Sequence, residues 1–458
     1  MKGAGKVPIA MGDEVQNHED KPQGEGVISR RGLLEKGAML AAVSAVPLGA
    51  GPLRKTRIAR TTGGPTTLKL MSWFQYEPGR HQAWNKMMAK FNKSQSKYKV
   101  VWTGWPANQY EDHVNTQIQA GGIDADVMTL IPDLAARMVN QGGLLVPIDS
   151  IVKKVGVHPS SSHNYIRKGG HLYGISIVEV AFGLLYNKAL LNAAGIKAPA
   201  QDPQEWLAQT VKLTNKPNQF GLYQPNTMAE QFSFWFSLQD WACAFDAKWA
   251  IGKKPNLTDP KVIQTLTTWK DFYDKAIPQG SNDAAAARLF SNGQVAQELI
   301  VSAAVNIIKT TGPKVYPNLR SVPAPWKSGK QISRLHPLSI PKNTKSMDGS
   351  VAFVTFMTHP ENMAELMEGS LDVVPAFPEV LEVKGVKKYL DNLKWSTGYR
   401  AIKPLSQFDV EGDFVYHDTE FGQIILTNYQ RALTGSTSIA SAMADAQTQA
   451  QALADRVF

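Results

Sequence analysis

Cysteine is almost absent from this sequence, because Cys243 is the only one in 458 residues. A single cysteine forms no disulfide within the chain and supplies no cysteine-based metal cluster. It stands in Trp-Ala-Cys-Ala-Phe, a setting typical of a small buried hydrophobe rather than of a nucleophile. No cysteine stands at the end of the N-terminal apolar segment, where a lipid-anchored protein would carry one, so we expect a protein without a lipid at its N-terminus.

Concentrated positive charge is also missing. The chain has a net charge of +10, but residues 1–64 hold ten Lys and Arg against six Asp and Glu and account for +4 of it. In the rest of the chain basic and acidic residues are interspersed, and no basic stripe carries interleaved aromatic residues. Such a stripe is typical of nucleic-acid surfaces, so we predict that the protein binds no nucleic acid.

Motifs of the common enzyme classes do not occur. The sequence has no H-E-x-x-H, no G-x-S-x-G, no G-x-x-x-x-G-K-[ST], and no G-x-G-x-x-G between a strand and a helix. His158, His163 and His171 lie in a Pro- and Ser-rich stretch, but their spacing matches no zinc site. We therefore expect no metal and no cofactor, and we predict a protein that is not an enzyme. A secreted carbohydrate-active hydrolase stays open as the alternative, because it needs only two carboxylates across a scissile bond.

The N-terminus has the pattern of an export signal. Ser29-Arg30-Arg31-Gly32 precedes an apolar run, Gly37 to Leu48, of about a dozen residues, whereas a membrane-spanning helix needs roughly 20. Paired arginines before a short apolar run and small residues are typical of twin-arginine signals. We predict a twin-arginine signal region at 1–50, recognised by the Tat export machinery, and a flexible linker at 51–66. The protein would work in the periplasm or outside the cell.

Strands and helices alternate after the linker. The spacing of apolar residues predicts, in order, a strand at 67–74, a helix at 82–91, a strand at 98–103, a helix at 110–120, a strand at 125–131 and a helix at 133–140. Repeated alternation of this kind implies an α/β fold with a parallel or mixed sheet. Ligands of such sheets bind beyond the carboxyl ends of the strands.

A second α/β region begins after Tyr173. Its predicted elements are a strand at 175–186, helices at 203–214, 228–245, 259–276, 282–292 and 346–359, and one or two amphipathic helices over 420–458. Pro323, Pro325, Pro337 and Pro341 bracket short extended segments between these helices. This arrangement indicates that the chain crosses between two lobes.

Several motifs also follow one another in a characteristic order. They are Gln117-Ile-Gln-Ala-Gly-Gly-Ile-Asp-Ala-Asp-Val-Met-Thr-Leu, Gly143-Leu-Leu-Val-Pro-Ile-Asp149, Gly170-His-Leu-Tyr-Gly-Ile, Leu185-Tyr-Asn-Lys188, Ala194-Gly-Ile, Phe290-Ser-Asn-Gly-Gln-Val-Ala296, His336-Pro-Leu-Ser-Ile-Pro-Lys-Asn343 and Leu371 to Pro375. In this order they resemble the family 1 extracellular solute-binding proteins of ABC sugar importers, the group that includes the maltose-binding type. The resemblance covers most of the chain from about Thr67 onward.

The resemblance implies a two-lobed periplasmic-binding-protein fold of the type II kind, with hinge strands near 173–178 and 321–326. The implied N-terminal lobe comprises 67–176 plus 327–365, and the C-terminal lobe comprises 177–326 plus 366–458. Each lobe would be a mixed sheet flanked by helices. A protein of this kind acts as a monomer that closes over one ligand and delivers it to the transmembrane subunits of an ABC permease.

The sequence departs from the family pattern at two places. Ser176 replaces the proline of the crossing segment, and Ser302-Ala-Ala-Val-Asn306 replaces an element that normally carries a tryptophan. Trp235 or Trp241 would then supply the stacking surface. Glu179 lies near the position of the family's sugar-contacting glutamate, about one residue out of register.

The chemistry of a carbohydrate defines the candidate site residues. A sugar presents hydroxyls at its edge and C–H groups on its faces, so its site needs carboxylates, amides or guanidinium groups beside flat aromatic rings. The predicted ligand-binding residues are Trp73, Phe74, Tyr76, Glu77, Asp133, Glu179, Trp235, Trp241, His336 and Asp372. The predicted ligand is an oligosaccharide or a glycoside. A polyamine, which would need several acids converging on one cleft, or a phosphodiester stays open.

Overall fold

The computed structural model describes residues 64–77 and 79–458. The predicted signal region at 1–50 lies outside the described residues, and so does the predicted linker up to residue 63. Among the described residues the first strand starts at Thr66, one residue before the predicted strand. Among the described residues, no helix is both long enough and apolar enough to cross a membrane.

Most strands of the described chain join one mixed sheet. In chain order the strands are β1 (Thr66–Met71), β2 (Tyr98–Thr103), β3 (Val127–Thr129), β4 (Arg167–Lys168), β5 (His171–Leu172), β6 (Ile175–Asn187), β7 (Ala250–Ile251), β8 (Lys254–Pro255), β9 (Gln297–Val301), β10 (Leu319–Pro323), β11 (Lys330–Ser339) and β12 (Lys403–Leu405). β1 pairs in parallel with β2 and β3, whereas β6 and β11 pair antiparallel with each other. β11 also pairs antiparallel with β3, and β6 with β9 and β10. The predicted α/β class with a mixed sheet is therefore confirmed.

Helices fill most of the remaining chain. The α-helices are α1 (Arg80–Ser94), α2 (Ala107–Gln119), α3 (Pro132–Gln141), α4 (Asp149–Val155), α5 (Lys188–Ala193), α6 (Pro203–Lys212), α7 (Gln231–Trp241), α8 (Pro260–Lys275), α9 (Asp283–Ser291), α10 (Ala304–Thr311), α11 (Met347–Thr358), α12 (Pro360–Ser370), α13 (Glu379–Glu382), α14 (Val386–Asn392), α15 (Thr397–Arg400), α16 (Phe408–Glu411), α17 (Asp418–Leu433) and α18 (Ile439–Val457). Short 3-10 helices occur at Trp73–Tyr76, Ser161–Ile166, Met228–Glu230, Ala242–Ala244, Tyr316–Asn318 and Gly412–His417. Nearly every predicted helix lies within a few residues of an observed one.

Two predicted elements end earlier than expected. The strand predicted at 67–74 stops at Met71, because the Ser72 hydroxyl accepts a hydrogen bond from the Phe74 N–H and starts the 3-10 helix at Trp73. The helix predicted over 228–245 is α-helical only at Gln231–Trp241, with a 3-10 turn on each side. In both places a local backbone turn overrides a continuous apolar pattern.

Buried apolar side chains form two large clusters, which we call the first core and the second core. The first core is built mainly from side chains between Leu68 and Val180 and between Leu335 and Tyr399. The second core is built from side chains between Phe182 and Leu299, between Ala324 and Ile332, and between Val410 and Ala454. The two cores underlie the two-lobed architecture. The predicted lobe boundaries stay predictions, and the reach of the first core to Tyr399 favours assigning 366–400 to the N-terminal lobe.

Two adjacent strands pass between the cores. On β6, Val180 packs in the first core and Phe182 and Leu184 pack in the second, although Leu185 contacts the first core again. On β11, Ile332 packs in the second core and Leu335 in the first. The predicted hinge at 173–178 therefore leads into a true crossing strand, β6. The predicted hinge at 321–326 is wrong, because β10 pairs along β6 and the chain then turns, with the Gly329 N–H bonded to the Trp326 carbonyl, before β11 returns.

The start of α6 gives a test of local stability. Asp202 caps this helix: its side chain accepts a hydrogen bond of 2.9 Å from the Glu205 N–H, and Pro203 takes the first helical position. We expect Asp202→Ala to lower the free energy of unfolding by about 1 kcal/mol in urea titrations, because that N–H loses its partner. Asp202→Asn keeps the acceptor and should remain within a few tenths of the wild type. Equal losses in both variants would contradict the capping role.

Candidate functional site

A buried carboxylate marks the place where β6 and β11 pass between the cores. Glu179, on β6, accepts a hydrogen bond of 2.6 Å from the Ser162 hydroxyl and another from the Ser333 hydroxyl of β11. Its backbone N–H donates to the Val374 carbonyl at 3.0 Å. The predicted site residue Glu179 therefore lies at the crossing, tied to three separate segments of the chain.

Arg334, also at the crossing, is fully buried. Its Nη1 lies 3.4 Å from the Asp240 carboxylate, and its Nη2 donates to the Gln239 side chain and to the Phe236 carbonyl. Burial raises the pKa of Asp240 to about 6, although the charge of Arg334 opposes this shift. A buried guanidinium is tolerated only with partners of this kind. Arg334 was not among the predicted site residues, although its place between Ile332 and Leu335 in an extended segment was an available signal.

Two stacked phenylalanines connect Arg334 with the solvent. The Phe236 ring lies 3.9 Å below the guanidinium carbon of Arg334, and the Phe232 ring lies 5.0 Å from the Phe236 ring at an interplanar angle of 25°. Phe232 is 52% exposed, although Phe236 is buried. We call these two rings and the guanidinium the aromatic column. The sequence analysis did not select Phe232, whose spacing of four from Phe236 on one helix face was the signal.

Three carboxyl groups meet beside the crossing, and we call Asp133, Glu411 and Asp418 the carboxyl cluster. Asp133 lies in the first turn of α3, whose apolar side chains belong to the first core. Glu411 and Asp418 flank the 3-10 helix Gly412–His417, which packs against α3. The second core includes Val410, Phe414 and Phe421 around them, while Val415 of the same 3-10 helix packs into the first core. The cluster therefore joins elements of both cores.

The hydrogen bonds of the carboxyl cluster are unevenly distributed. Asp418 Oδ1 accepts from the Trp235 indole N–H and from the Gln239 amide, both at 2.7 Å. Asp133 Oδ2 accepts from the Thr419 hydroxyl at 3.5 Å, the limit of a hydrogen bond, and its Oδ1 has no partner in the described part of the chain. Asp133 is nevertheless only 4% exposed.

Burial raises the pKa values of all three carboxyl groups. The pKa of Asp133 rises well above its usual range because of burial and then because of the negative charges of Glu111 and Asp418. The pKa of Glu411 rises for the same first reason, and Glu411 shares a hydrogen bond with Asp418. A hydrogen bond between two carboxyl groups needs one proton between them. The sequence analysis found Asp133 but missed the other two, which lie in a helix-rich segment without a motif.

Several predicted site residues lie close together near the end of β1, where most of them are buried packing residues. The rings of Trp73 and Phe74 are buried, with centroids 5.1 Å and 5.9 Å from the His336 ring. Burial lowers the pKa of His336 to about 3, so this imidazole is neutral at physiological pH. Tyr76 is 51% exposed, and its hydroxyl donates to the Gly104 carbonyl at 3.2 Å.

Glu77 and Asp372 form ion pairs with one arginine. Arg80 pairs with Glu77 at 3.0 Å and with Asp372 at 2.9 Å, and its guanidinium carbon lies 4.8 Å from the Phe74 ring centroid. Burial lowers the pKa of Arg80, but the two carboxylates outweigh burial and raise it overall. Sequence reasoning had no means of finding Arg80, because its partner Asp372 is almost three hundred residues away.

The two predicted tryptophans of α7 have different surroundings. Trp235 borders the carboxyl cluster through its bond to Asp418. Trp241 belongs to the second core: it is fully buried, with ring centroids 5.2 Å from Trp206 and 5.0 Å from Trp326. This packing does not favour a ligand contact for Trp241, because an aromatic ring enclosed by other rings presents no free face.

The described residues offer no group of three or more His, Cys, Asp and Glu side chains placed to hold a metal ion. His163 is buried, and burial lowers its pKa to about 3. Burial also raises the pKa of the Cys243 thiol, which disfavours the nucleophilic thiolate.

The fold and the site define a two-lobed binding protein whose polar groups lie between two cores. The sequence profile of the bacterial extracellular solute-binding proteins matches residues 86–393, and the chain belongs to that family. A comparison with curated protein sequences gives no match.

Solved structures with the same fold include three solute-binding proteins with different ligands. An ABC transporter solute-binding protein of Thermotoga lettingae, bound to α-D-tagatose, has a TM-score of 0.73 and 16% identity, covering 85% of this chain and 100% of that one. The GacH receptor of Streptomyces glaucescens was solved unliganded and with acarbose. It has a TM-score of 0.73 and 19% identity, and the match covers 85% of this chain and 99% of that one. UgpB of Mycobacterium tuberculosis, bound to glycerophosphocholine, has a TM-score of 0.71 and 17% identity, and the match covers 86% of this chain and 99% of that one.

Membership of the family establishes the general role. The protein is the exported solute-binding component of an ABC transporter, which binds a solute and delivers it to the permease. It is a binding protein and not an enzyme, so the hydrolase alternative is wrong.

Proposed function

We propose that the protein captures a carbohydrate between its lobes, and the aromatic column carries this proposal. Phe232 presents an exposed ring that is backed by Phe236 and by the cation of Arg334. A flat ring of this kind suits the C–H face of a sugar. Glu179, Asp133 and Asp418 lie deeper, where buried carboxyl groups form hydrogen bonds with ligand hydroxyls and discriminate against ligands that lack them.

The residue roles follow from these positions. We propose that Phe232 stacks on the ligand in place of the tryptophan that Ser302–Asn306 lacks, and that Asp133, Glu179 and Trp235 contribute from the crossing. Tyr76 and Glu77 would contact the ligand from the solvent side, and Asp372 would hold Arg80 in place. Trp73, Phe74 and His336 would support the site from beneath, while Trp241 would serve packing alone.

We further propose an oligomeric state and a cellular location for the protein. The protein would act as a monomer, without a lipid anchor, in the periplasm or outside the cell, after export by the twin-arginine machinery. The paired Arg30-Arg31 supports the export route, and the family's exported character supports the location. An oligosaccharide or glycoside is the proposed ligand, which relatives bound to tagatose and acarbose make plausible.

A thermal-shift screen of the full chain tests the ligand class. The panel contains tagatose, maltose, acarbose, glycerophosphocholine and spermidine. A ligand at a hundredfold excess over its Kd stabilises the native state by about 2.7 kcal/mol, so a sugar should raise the Tm by several degrees. A shift with glycerophosphocholine or spermidine alone would overturn the carbohydrate proposal.

Phe232→Ala tests the aromatic column directly. We expect about tenfold weaker sugar binding by calorimetry, because the stacking ring is worth about 1 kcal/mol or more beyond its buried area. Ile251→Ala is the matched control, since Ile251 is another exposed apolar side chain, on β7. Unchanged sugar affinity in Phe232→Ala would remove the column from the site.

A further inference from the structure

We propose that lobe closure is coupled to proton binding: the carboxyl cluster of Asp133, Glu411 and Asp418 holds one more proton in the closed form than in the open form. The inference rests on the proposed closure of the lobes over a ligand. It concerns the closing motion itself, and its main measurement needs no ligand.

The geometry brings like charges together from opposite sides. Asp133 sits on α3 of the first core, while Glu411 and Asp418 bracket the 3-10 helix that packs against α3. The Thr419 hydroxyl, next to Asp418, reaches Asp133 across this contact at 3.5 Å. When the lobes separate, Asp133 returns to water and leaves the other two carboxyl groups. Closing the lobes therefore removes Asp133 from solvent and places it beside negative charge.

The surroundings of Asp133 do not neutralise it. Glu111 and Asp418 face it as negative charges, and Tyr165 stands nearby. His417 ends the 3-10 helix that packs against α3, and burial followed by the charge of Arg137 lowers its pKa, which disfavours a compensating positive charge. Arg137 faces it as a cation, but Arg137 Nη2 is already bound to the Glu111 carboxylate at 2.7 Å. These two opposite charges offset each other. One oxygen of Asp133 is left without a hydrogen-bond partner in the described structure, which disfavours the ionised form.

Glu411 and Asp418, the other two members of the carboxyl cluster, also have little positive charge near them. Arg334 is the cation that acts on Glu411 and Asp418, but its own hydrogen bonds go to Gln239, Asp240 and Phe236. The remaining partners of the pair are neutral: the Gln407 amide donates to Glu411 at 3.2 Å. The proton of the Glu411–Asp418 hydrogen bond can stay in both forms, so the additional proton belongs to Asp133.

Lobe closure is expected to become weaker as pH rises. The pKa of Asp133 is raised in the closed form and is near its ordinary value when water surrounds it. Closure is therefore most favourable below the open-form pKa and becomes less favourable as pH rises toward the closed-form pKa. Within that window the ratio of closed to open molecules changes by up to about tenfold per pH unit.

Pulsed spin-label distances on the ligand-free full chain test this coupling between pH 5 and pH 8. Lys93→Cys on α1 and Lys261→Cys on α8 provide exposed labelling positions on the two sides, and the native Cys243 is buried. We expect the population of short distances to grow as pH falls. In Asp133→Asn the population should be nearly independent of pH. Asp455→Asn, which alters an exposed aspartate on α18, is the matched control and should follow the wild type.

Two outcomes of the distance measurement would overturn the inference. One is a wild-type distance distribution that stays constant from pH 5 to pH 8, confirmed by a constant radius of gyration in small-angle scattering. The other is an Asp133→Asn distribution that still follows pH as the wild type does. If maltose or tagatose binds in the thermal-shift screen, calorimetry in two buffers of different ionisation enthalpy should show proton uptake. Sugar binding without proton uptake would overturn this inference and leave the carbohydrate proposal standing.

Discussion

Arg334→Met is expected to lower the free energy of unfolding by about 3–5 kcal/mol, because it leaves Asp240 as a buried carboxylate without its cation. The substitution also removes the hydrogen bonds to Gln239 and to the Phe236 carbonyl. The methionine side chain has a comparable length and keeps the contact with the Phe236 ring. The loss therefore comes mainly from unpaired polar groups rather than from a void.

Urea unfolding of three variants separates this explanation from others. Arg334→Met with Asp240→Leu should recover part of the loss, because replacing both members of a buried pair by apolar groups is often neutral. Lys275→Met is the control for an ordinary ion pair: Lys275 and Asp271 are 2.8 Å apart but about half exposed, so its cost should stay at or below about 1 kcal/mol. If Arg334→Met and Lys275→Met cost the same, Arg334 does not hold the crossing together.

Glu298→Gln is expected to make the protein more stable at alkaline pH. Glu298, on β9, is only 6% exposed, and burial together with the charge of Asp283 raises its pKa to about 8. The folded chain thus keeps this proton up to about pH 8, whereas an unfolded glutamate releases it near about pH 4. The contribution of Glu298 is full below the unfolded value and is lost as pH rises through the folded value. Between pH 5 and pH 8.5 the loss amounts to about 4 kcal/mol.

Urea midpoints at pH 5, 7 and 8.5 provide the measurement. The wild type should lose stability across this range, while Glu298→Gln keeps a neutral side chain and loses much less. Glu361→Gln, which changes an exposed glutamate on α12, should follow the wild type. A Glu298→Gln variant with the same pH slope as the wild type would show that Glu298 is ionised in the folded protein.

Much of the fold was predictable from the sequence, because local patterns determine it. β2 occupies the predicted residues 98–103, and α3 extends the predicted helix by one residue at each end. Apolar spacing and N-cap side chains act within a few residues, so they are visible in the sequence. The return strand was misplaced because prolines at 323 and 325 mark a turn as readily as a hinge.

The site was only partly predictable, because its contacts join distant residues. Glu179 lies on the crossing strand β6, while Asp133 and Trp235 each contact the segment at Asp418–Thr419. The surroundings of Arg334 and Asp418 depend on distant partners that sequence order does not show. Trp241 shows why aromatic residues are hard to assign from sequence. An aromatic side chain in an aromatic helix is equally suited to a ligand and to a core, and only tertiary packing separates the two.

Both cores need segments that are synthesised late before they can fold. Each core combines an early segment with a late one, and the second core contains Phe182 as well as Ala454 near the C-terminus. The second core cannot therefore be completed while the ribosome still holds the last helices, and the first core has to wait for the segment around Tyr399. A secretion route that carries folded proteins would have to wait for the released chain. A route that threads unfolded chains would deliver a protein whose lobes mature together after translocation.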